Sequence, residues 1–183
     1  MFSILFVCTG NQHRSASAEA FVRLLTADTH VVVASVGTMG IEGAPAAPEA
    51  IAFCASVGAD LSRHRSRPLA AGAARLADLV CGFELSHISS AVIDGGAALA
   101  KTFTLVEIVG LLERLGPALE TELEARARER VARAHVLRAQ QTGFVPGLEI
   151  ADPIARSARE QERTLRQVWE LCINLVDGLI DEV

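Results

Sequence analysis

Cys8 and Arg14 stand six residues apart, with Ser15 directly after, in the run Cys8-Thr9-Gly10-Asn11-Gln12-His13-Arg14-Ser15. Those residue types at that spacing can hold a tetrahedral oxyanion and attack it. A sulfur surrounded by backbone N–H groups and an arginine is stabilised as the thiolate, which is the nucleophilic form. The Arg14 guanidinium is a planar fork that matches two oxygens of one phosphate, which the point charge of a lysine does not. Ser15 can donate to the sulfur, either stabilising the thiolate or helping it leave. Backbone N–H groups through Thr9, Gly10, Asn11, Gln12 and His13 complete a candidate cradle for the substrate. Phosphoryl transfer asks for positioning and charge stabilisation, and this set supplies both without a metal or an organic cofactor. The residues alone leave a second reading open, a buried structural cysteine that ends a core strand.

For such a loop to work, a strand must deliver Cys8 and a helix must begin at the loop's far end. Phe2-Ser3-Ile4-Leu5-Phe6-Val7 reads as a buried strand, and the Ala-rich run from Ala16 to Thr26 as a helix, with Ala20, Phe21, Leu24 and Leu25 inward and Glu19 and Arg23 outward. Gly10 sits where the backbone must bend, and the Asn11 side chain can lock a left-handed turn. Val31 to Val36 is a second buried strand, residues 46–58 a helix opened by Pro48, and Ala77 to Gly82 a third strand followed by a helix from Phe83 to Ala91. Thr102 to Leu105 is the last short strand, with Val106 to Leu115 as helix, and residues 155–182 close the chain as an amphipathic helix. Alternating strands and helices predict an α/β fold. The expectation is a single three-layer domain over residues 1–183, with about four parallel strands, helices on both faces and the ligand at the carboxyl ends of the strands.

The chain's 183 residues suffice for a sizeable core, and a chain that is 50% hydrophobic and 21% charged is not expected to be disordered. A net charge of −5 argues against a general nucleic-acid surface, so anion binding is expected to be local. No stretch approaches membrane-spanning length, and the short apolar start lacks the basic flank of a signal peptide. The expected address is the cytoplasm. Cys8, Cys54, Cys81 and Cys172 show no metal-ligand spacing, and the last three fall in apolar patterns.

Cys8-Thr9-Gly10-Asn11 followed by Arg14-Ser15 resembles the signature loop of the low-molecular-weight protein tyrosine phosphatases and their arsenate reductase relatives. The resemblance implies a cysteine-dependent phosphatase acting on a phosphorylated protein or a small phosphoester, with Cys8 as nucleophile and Arg14 as phosphate ligand. Ser35-Val36-Gly37-Thr38 is similar to the family's Ser-Ala-Gly-Thr segment, where the serine buttresses the phosphate loop. Asp60 to Leu69 resembles the segment before the third strand, which implies that His64 joins the polar network under the loop. Asp152-Pro153 matches the loop that carries the general acid, and the chemistry needs one, because an alkoxide or phenoxide leaves slowly unless its oxygen is protonated as the P–O bond breaks.

The departures are as informative. His13 stands where many members carry a second cysteine able to protect the nucleophile as a disulfide. The chain contains no tyrosine, and Ile41 and Ile154 occupy the places of the aromatic residues that bracket a phosphotyrosine ring, with Gln12 the loop residue expected to touch the leaving group. That leaves protein-arginine phosphatase activity, arsenate reduction with an external thiol, and a catalytically silent regulatory module as alternatives. Residues 116–142 are longer than the family's usual connection. Five arginines between positions 126 and 138 and a stripe of Leu119, Leu123, Ala127, Val131 and Ala134 predict an inserted helix. It would be packed on the body, or serve as a lid or a homodimer contact.

Overall fold

The structure, a computed structural model, describes residues 1–141 and 147–180. Its sheet has four parallel strands: β1 (Phe2–Cys8), β2 (Val31–Gly37), β3 (Leu79–Gly82) and β4 (Thr102–Thr104), in the order β2-β1-β3-β4. Between them run the helices α1 (Arg14–Leu25), α2 (Pro48–Ser56) and α3 (Leu85–Ile93), and after them α4 (Leu105–Leu112), α5 (Leu123–Ala139) and α6 (Ala158–Ile180). Pairing β1 with β2 in register from Phe2 opposite Val31 puts Cys8 beside Gly37, and pairing it with β3 puts Val7 beside Gly82.

Period-two alternation sorts the sheet's side chains into two cores. Phe2, Ile4, Phe6 and Cys8 of β1 lie in the larger core with residues of α1, α2, α4, α5 and α6. Leu5 and Val7 face the smaller one with Val36, Val80 and Ala91 of α3. Five fully buried phenylalanines, Phe2, Phe6, Phe21, Phe83 and Phe103, anchor the interior, each contributing about 1.5–3 kcal/mol through burial. Phe21 of α1 meets Trp169 of α6 edge-on with ring centroids 5.0 Å apart, which fixes the helix that begins at the loop against the longest helix of the fold. The chain leaves β1 toward β2 and later returns to β3 on β1's other side. The two connections diverge at the carboxyl end of β1, which opens a crevice there.

Several elements are shorter than their sequence patterns. The last helix begins at Ala158 rather than 155, because Ser157 and Glu160 cap each other at its start. Ser157 N donates to Glu160 Oε2 at 3.0 Å, and Glu160 N donates to Ser157 Oγ at 3.4 Å. Glu19 does not face away from the core as its helical position suggests. It is buried and bonds Ser35, Arg23 and Arg67. Thr142 and residues 181–182, the ends assigned to two of the sequence-predicted helices, lie outside the described residues.

The inserted helix α5 lies away from the loop. Arg128 reaches Asp78 Oδ1 at 2.9 Å and also Met1 O, and Arg138 reaches Thr102 O at 2.7 Å, all at the amino ends of strands. Arg130 donates to Leu112 O and Gly116 O, each at 3.2 Å, and to Gly178 O, so it satisfies end carbonyls of α4 and α6. Because Cys8 ends β1 at the opposite, carboxyl end of the strands, α5 is not a lid. Ala127, Val131 and Ala134 of the expected stripe are buried, whereas Leu119 precedes the helix and is exposed.

Candidate active site

The loop after β1 folds around Asn11. Its φ of +52° is the left-handed conformation in which asparagine is tolerated. Its backbone N donates to Cys8 Sγ at 3.3 Å. Its side-chain Nδ2 donates to Ser15 Oγ at 3.0 Å and to Ser35 Oγ at 2.8 Å, while Oδ1 accepts from Arg67 N at 2.8 Å. His64 Nε2 lies 2.7 Å from Asn11 O; a carbonyl only accepts, so that ring nitrogen carries the proton. Burial pushes the His64 pKa down, which keeps the ring neutral. Ser35 and His64 thus both rest on Asn11, and Ser35 passes its own hydrogen to Glu19. Ser66 Oγ adds a bond to Gly10 O at 3.0 Å. Gly37 packs against the loop so closely that a Cβ there would fall 2.7 Å from Thr9 O and 2.9 Å from Asn11 N.

Cys8 is 2% exposed, but its surroundings at the sulfur are polar. Ser15 Oγ is 2.9 Å away. That hydroxyl already accepts from Asn11 Nδ2, so its hydrogen is available to the sulfur, the more distant Val36 O at 3.4 Å being its other acceptor. Cys54, Cys81 and Cys172 are also free and buried; burial pushes the Cys54 thiol up to about 11 and raises Cys81 and Cys172 as well. Among the described residues, no group of three or more His, Cys, Asp or Glu side chains could hold a metal ion.

Arg14, the first residue of α1, is 1% exposed and its guanidinium is held from several sides. NH1 donates to Glu84 Oε1 and, at 2.7 Å, to Ile150 O. NH2 donates to Thr9 Oγ1 at 3.3 Å and pairs with Asp152 Oδ2 at 2.7 Å. The Phe83 ring centroid lies 5.8 Å from its central carbon. Asp152 therefore arrives at the loop from 138 positions further along the chain, counted from Arg14. Ile154 N donates to its Oδ1 at 3.1 Å, the short turn that aims the carboxylate.

The remaining loop residues form the rim and the back. Gln12 Nε2 donates to Pro45 O at 3.1 Å. Ile154 overhangs the loop, its Cδ1 4.0 Å from where a Gly10 side chain would begin. His13 is buried at the N-cap of α1, and neither ring nitrogen has a partner among the described residues. Burial drives its pKa down to about 4, with Arg14 acting in the same direction and Asp152 and Glu49 opposing. Thr9, Gly10 and Gln12 are partly exposed and make the opening.

Sequence reasoning missed Glu84, the Ile150 carbonyl, His87, Ser66 and the structural part played by Glu19. Glu84 and His87 sit just after β3, on the second wall of the crevice that the strand order creates; that order is the signal which would have found them.

The low molecular weight phosphotyrosine protein phosphatase family model matches residues 3–115. Among curated proteins, the chain is 37% identical over 78 residues to the probable low molecular weight protein-tyrosine-phosphatase EpsP of Ralstonia solanacearum. That match covers 43% of this chain and 52% of EpsP, so the chain spans about half the length of this curated relative. Among solved structures, the low molecular weight protein tyrosine phosphatase from T. tengcongensis superposes with a TM-score of 0.71 at 26% identity, covering 98% of this chain and 100% of that one. The YwlE arginine phosphatase from Geobacillus stearothermophilus shares the fold, with a TM-score of 0.71 at 24% identity over 98% of this chain and 93% of its own. With its Cys8–Ser15 loop inside the matched residues, the chain belongs to the low molecular weight phosphotyrosine protein phosphatase family.

Proposed function

We propose that the protein is a cysteine-dependent phosphatase that hydrolyses a phosphomonoester through a cysteinyl-phosphate intermediate. The observation that carries this reading is the sharing of one buried guanidinium. Arg14 NH2 stands in the loop that holds Cys8 and also meets Asp152 Oδ2 at 2.7 Å. Cys8 Sγ attacks phosphorus in line with the leaving oxygen, so the S–P bond forms as the P–O bond breaks. Arg14 and the loop N–H groups hold the three non-bridging oxygens. Bound phosphate takes Arg14 from Asp152; the freed carboxylate takes up the proton that a monoanionic substrate brings and delivers it to the leaving oxygen as the P–O bond breaks. In the second step the same carboxylate takes a proton from water, which attacks phosphorus and releases Cys8 Sγ to Asn11 N and Ser15 Oγ. Thr9, Gly10, Asn11, Gln12, His13 and Ser15 form the substrate cradle, and Ser35 and His64 support it through Asn11. Residues 1–183 act as one phosphatase-like unit in this reading, with α5 as a helical insertion that braces it.

A phosphorylated protein or a small phosphoester is the substrate class. The rim that would flank it is aliphatic, with Ile41 70% and Ile154 51% exposed. A phosphotyrosine ring can lie between them, without the aromatic stacking worth about 0.5–1.5 kcal/mol. A second reading, protein-arginine phosphatase, is favoured by charge. Glu84 and Asp152 both bond Arg14, and Glu149 accepts from Leu85 N beside them. Such a mouth favours a phosphoryl group joined to a cationic guanidinium over one joined to a neutral ring. No helix among the described residues is long and apolar enough to cross a membrane. Turnover of phosphotyrosine, phosphoarginine and phosphoserine peptides, with arsenate-dependent thiol consumption measured alongside, tests the assignment. Hydrolysis of any of them supports a phosphatase, with the preferred peptide deciding between the ester and the phosphoarginine readings; no hydrolysis, or arsenate reduction alone, overturns it.

A further inference from the structure

We infer that His87 is a positioning residue that aims the Thr9 hydroxyl, as an additional hydrogen-bond donor, at the phosphoryl group bound to Arg14. This rests on the phosphatase reading for its meaning, but its geometry is independent of it. His87 lies in the first turn of α3 and is 1% exposed. Its Nδ1 accepts from Glu84 N at 3.0 Å and from Phe83 N at 3.3 Å. A nitrogen that receives two N–H groups carries no hydrogen of its own, so the proton of the neutral ring is on Nε2. Nε2 is 3.1 Å from Thr9 Oγ1, and it donates.

Thr9 Oγ1 also receives Arg14 NH2 at 3.3 Å. A hydroxyl has two lone pairs and one hydrogen. Here both lone pairs are taken by obligate donors, so the hydrogen must be given to an acceptor. Among the described residues it meets none. With Cβ, His87 and Arg14 occupying three of the oxygen's four tetrahedral directions, the fourth is fixed. The same NH2 bonds Thr9 Oγ1 on one side and Asp152 Oδ2 on the other. The hydroxyl hydrogen therefore flanks the site where a phosphoryl oxygen meets Arg14. A serine or threonine free to rotate could offer its hydrogen anywhere; this one is oriented before the ligand arrives.

Neutrality of the ring keeps the arrangement intact. Burial lowers His87 to about 4 and Arg14 of α1 assists, while Glu84 of the β3–α3 turn and Glu149 and Asp152 of the loop before α6 oppose.

The alternative is that His87 merely caps α3, a position where glutamate or glutamine is common. Glutamate would keep an acceptor for Glu84 N and lose the donor to Thr9; glutamine keeps both. The test measures orthovanadate affinity by calorimetry and aryl phosphate kcat and KM for wild type, Thr9→Val, Thr9→Ser, His87→Gln, His87→Glu and Thr9→Val/His87→Glu, with thermal melts as a check of folding. Thr9→Val should weaken vanadate binding about tenfold and lower kcat more than it changes KM. Thr9→Ser should recover most of that loss. His87→Glu should reproduce the Thr9→Val loss, His87→Gln should recover it, and the double variant should be no worse than Thr9→Val alone. Unchanged vanadate affinity in Thr9→Val overturns the proposal, and so do single effects that multiply in the double variant. A wild type that binds vanadate but hydrolyses no aryl phosphate overturns the phosphatase reading while the vanadate series still decides the positioning claim. A wild type that binds no vanadate overturns both.

Discussion

His13 makes stability depend on pH in a way that can be calculated from its place in the loop. The ring is 1% exposed, neither nitrogen has a partner among the described residues, and burial lowers its pKa from 6.5 to about 4. In the unfolded chain it titrates near 6.5. Between these values the unfolded state binds more protons than the folded one, so stability falls as the pH falls. The loss is absent above about pH 7 and complete below about pH 4. At pH 4.5 it amounts to about 2.5 kcal/mol, and its full size is about 3.4 kcal/mol, each tenfold difference in proton affinity being worth about 1.36 kcal/mol. His13→Gln is neutral at every pH and leaves His87 and His64 in place, so their acid dependence cancels in a comparison. Urea denaturation at pH 7.0, 6.0, 5.0 and 4.5 measures both proteins. Wild type should lose about 2.5 kcal/mol more than His13→Gln between the two extremes. Parallel losses would refute the claim that this imidazole is buried uncharged inside the loop.

Other consequences concern the two ends of the sheet. Arg130→Met removes the donor to Leu112 O, Gly116 O and Gly178 O and should destabilise the protein by about 3 kcal/mol. Its kcat/KM on an aryl phosphate should stay at the wild-type value, because α5 braces the end of the sheet opposite Cys8; a selective loss of kcat would contradict that placement. Gly37→Ala should cost about 2 kcal/mol of stability and at least tenfold in kcat, since the added carbon meets the backbone of Thr9 and Asn11, which cannot yield. Normal turnover by this variant in urea-matched folded protein would show that the loop tolerates displacement. In Asp152→Asn, kcat should fall more steeply as the phenol leaving group becomes more basic, read from a series of aryl phosphates.

The parts of the site that are legible in sequence are those packed into one short stretch. Cys8, Arg14 and Ser15 belong to a strand, a turn and a helix that are continuous, and period-two and helical patterns identify each. Asp152 needs the family resemblance, because an Asp-Pro pair by itself is an ordinary turn. Glu84, His87 and the Ile150 carbonyl are not legible. They reach Arg14 and Thr9 across 70 or more residues, for which only the sheet order supplies the juxtaposition. Glu19 is misread because a charged side chain at an outward helical position normally faces water, whereas here Ser35, Arg23 and Arg67 surround it. The arginines of α5 fit a lid or a dimer contact as readily as a packed helix. Arg128, Arg130 and Arg138 instead reach main-chain carbonyls at the ends of other elements, and carbonyls leave no trace in residue type.

The most direct test of the mechanism is rapid quenching of a single turnover with an aryl phosphate, followed by location of the phosphoryl group on the chain. Asp152→Asn with the phosphate of a weakly basic phenol is the combination of choice, because a good leaving group departs without the lost acid while the intermediate, deprived of the group that activates water, should accumulate. About one phosphoryl group per chain, bonded to Cys8 sulfur and absent in Cys8→Ala, is the predicted result. Phosphate found on Ser15 or His13, or a burst of phenol with no phosphoryl group on the protein, would contradict it.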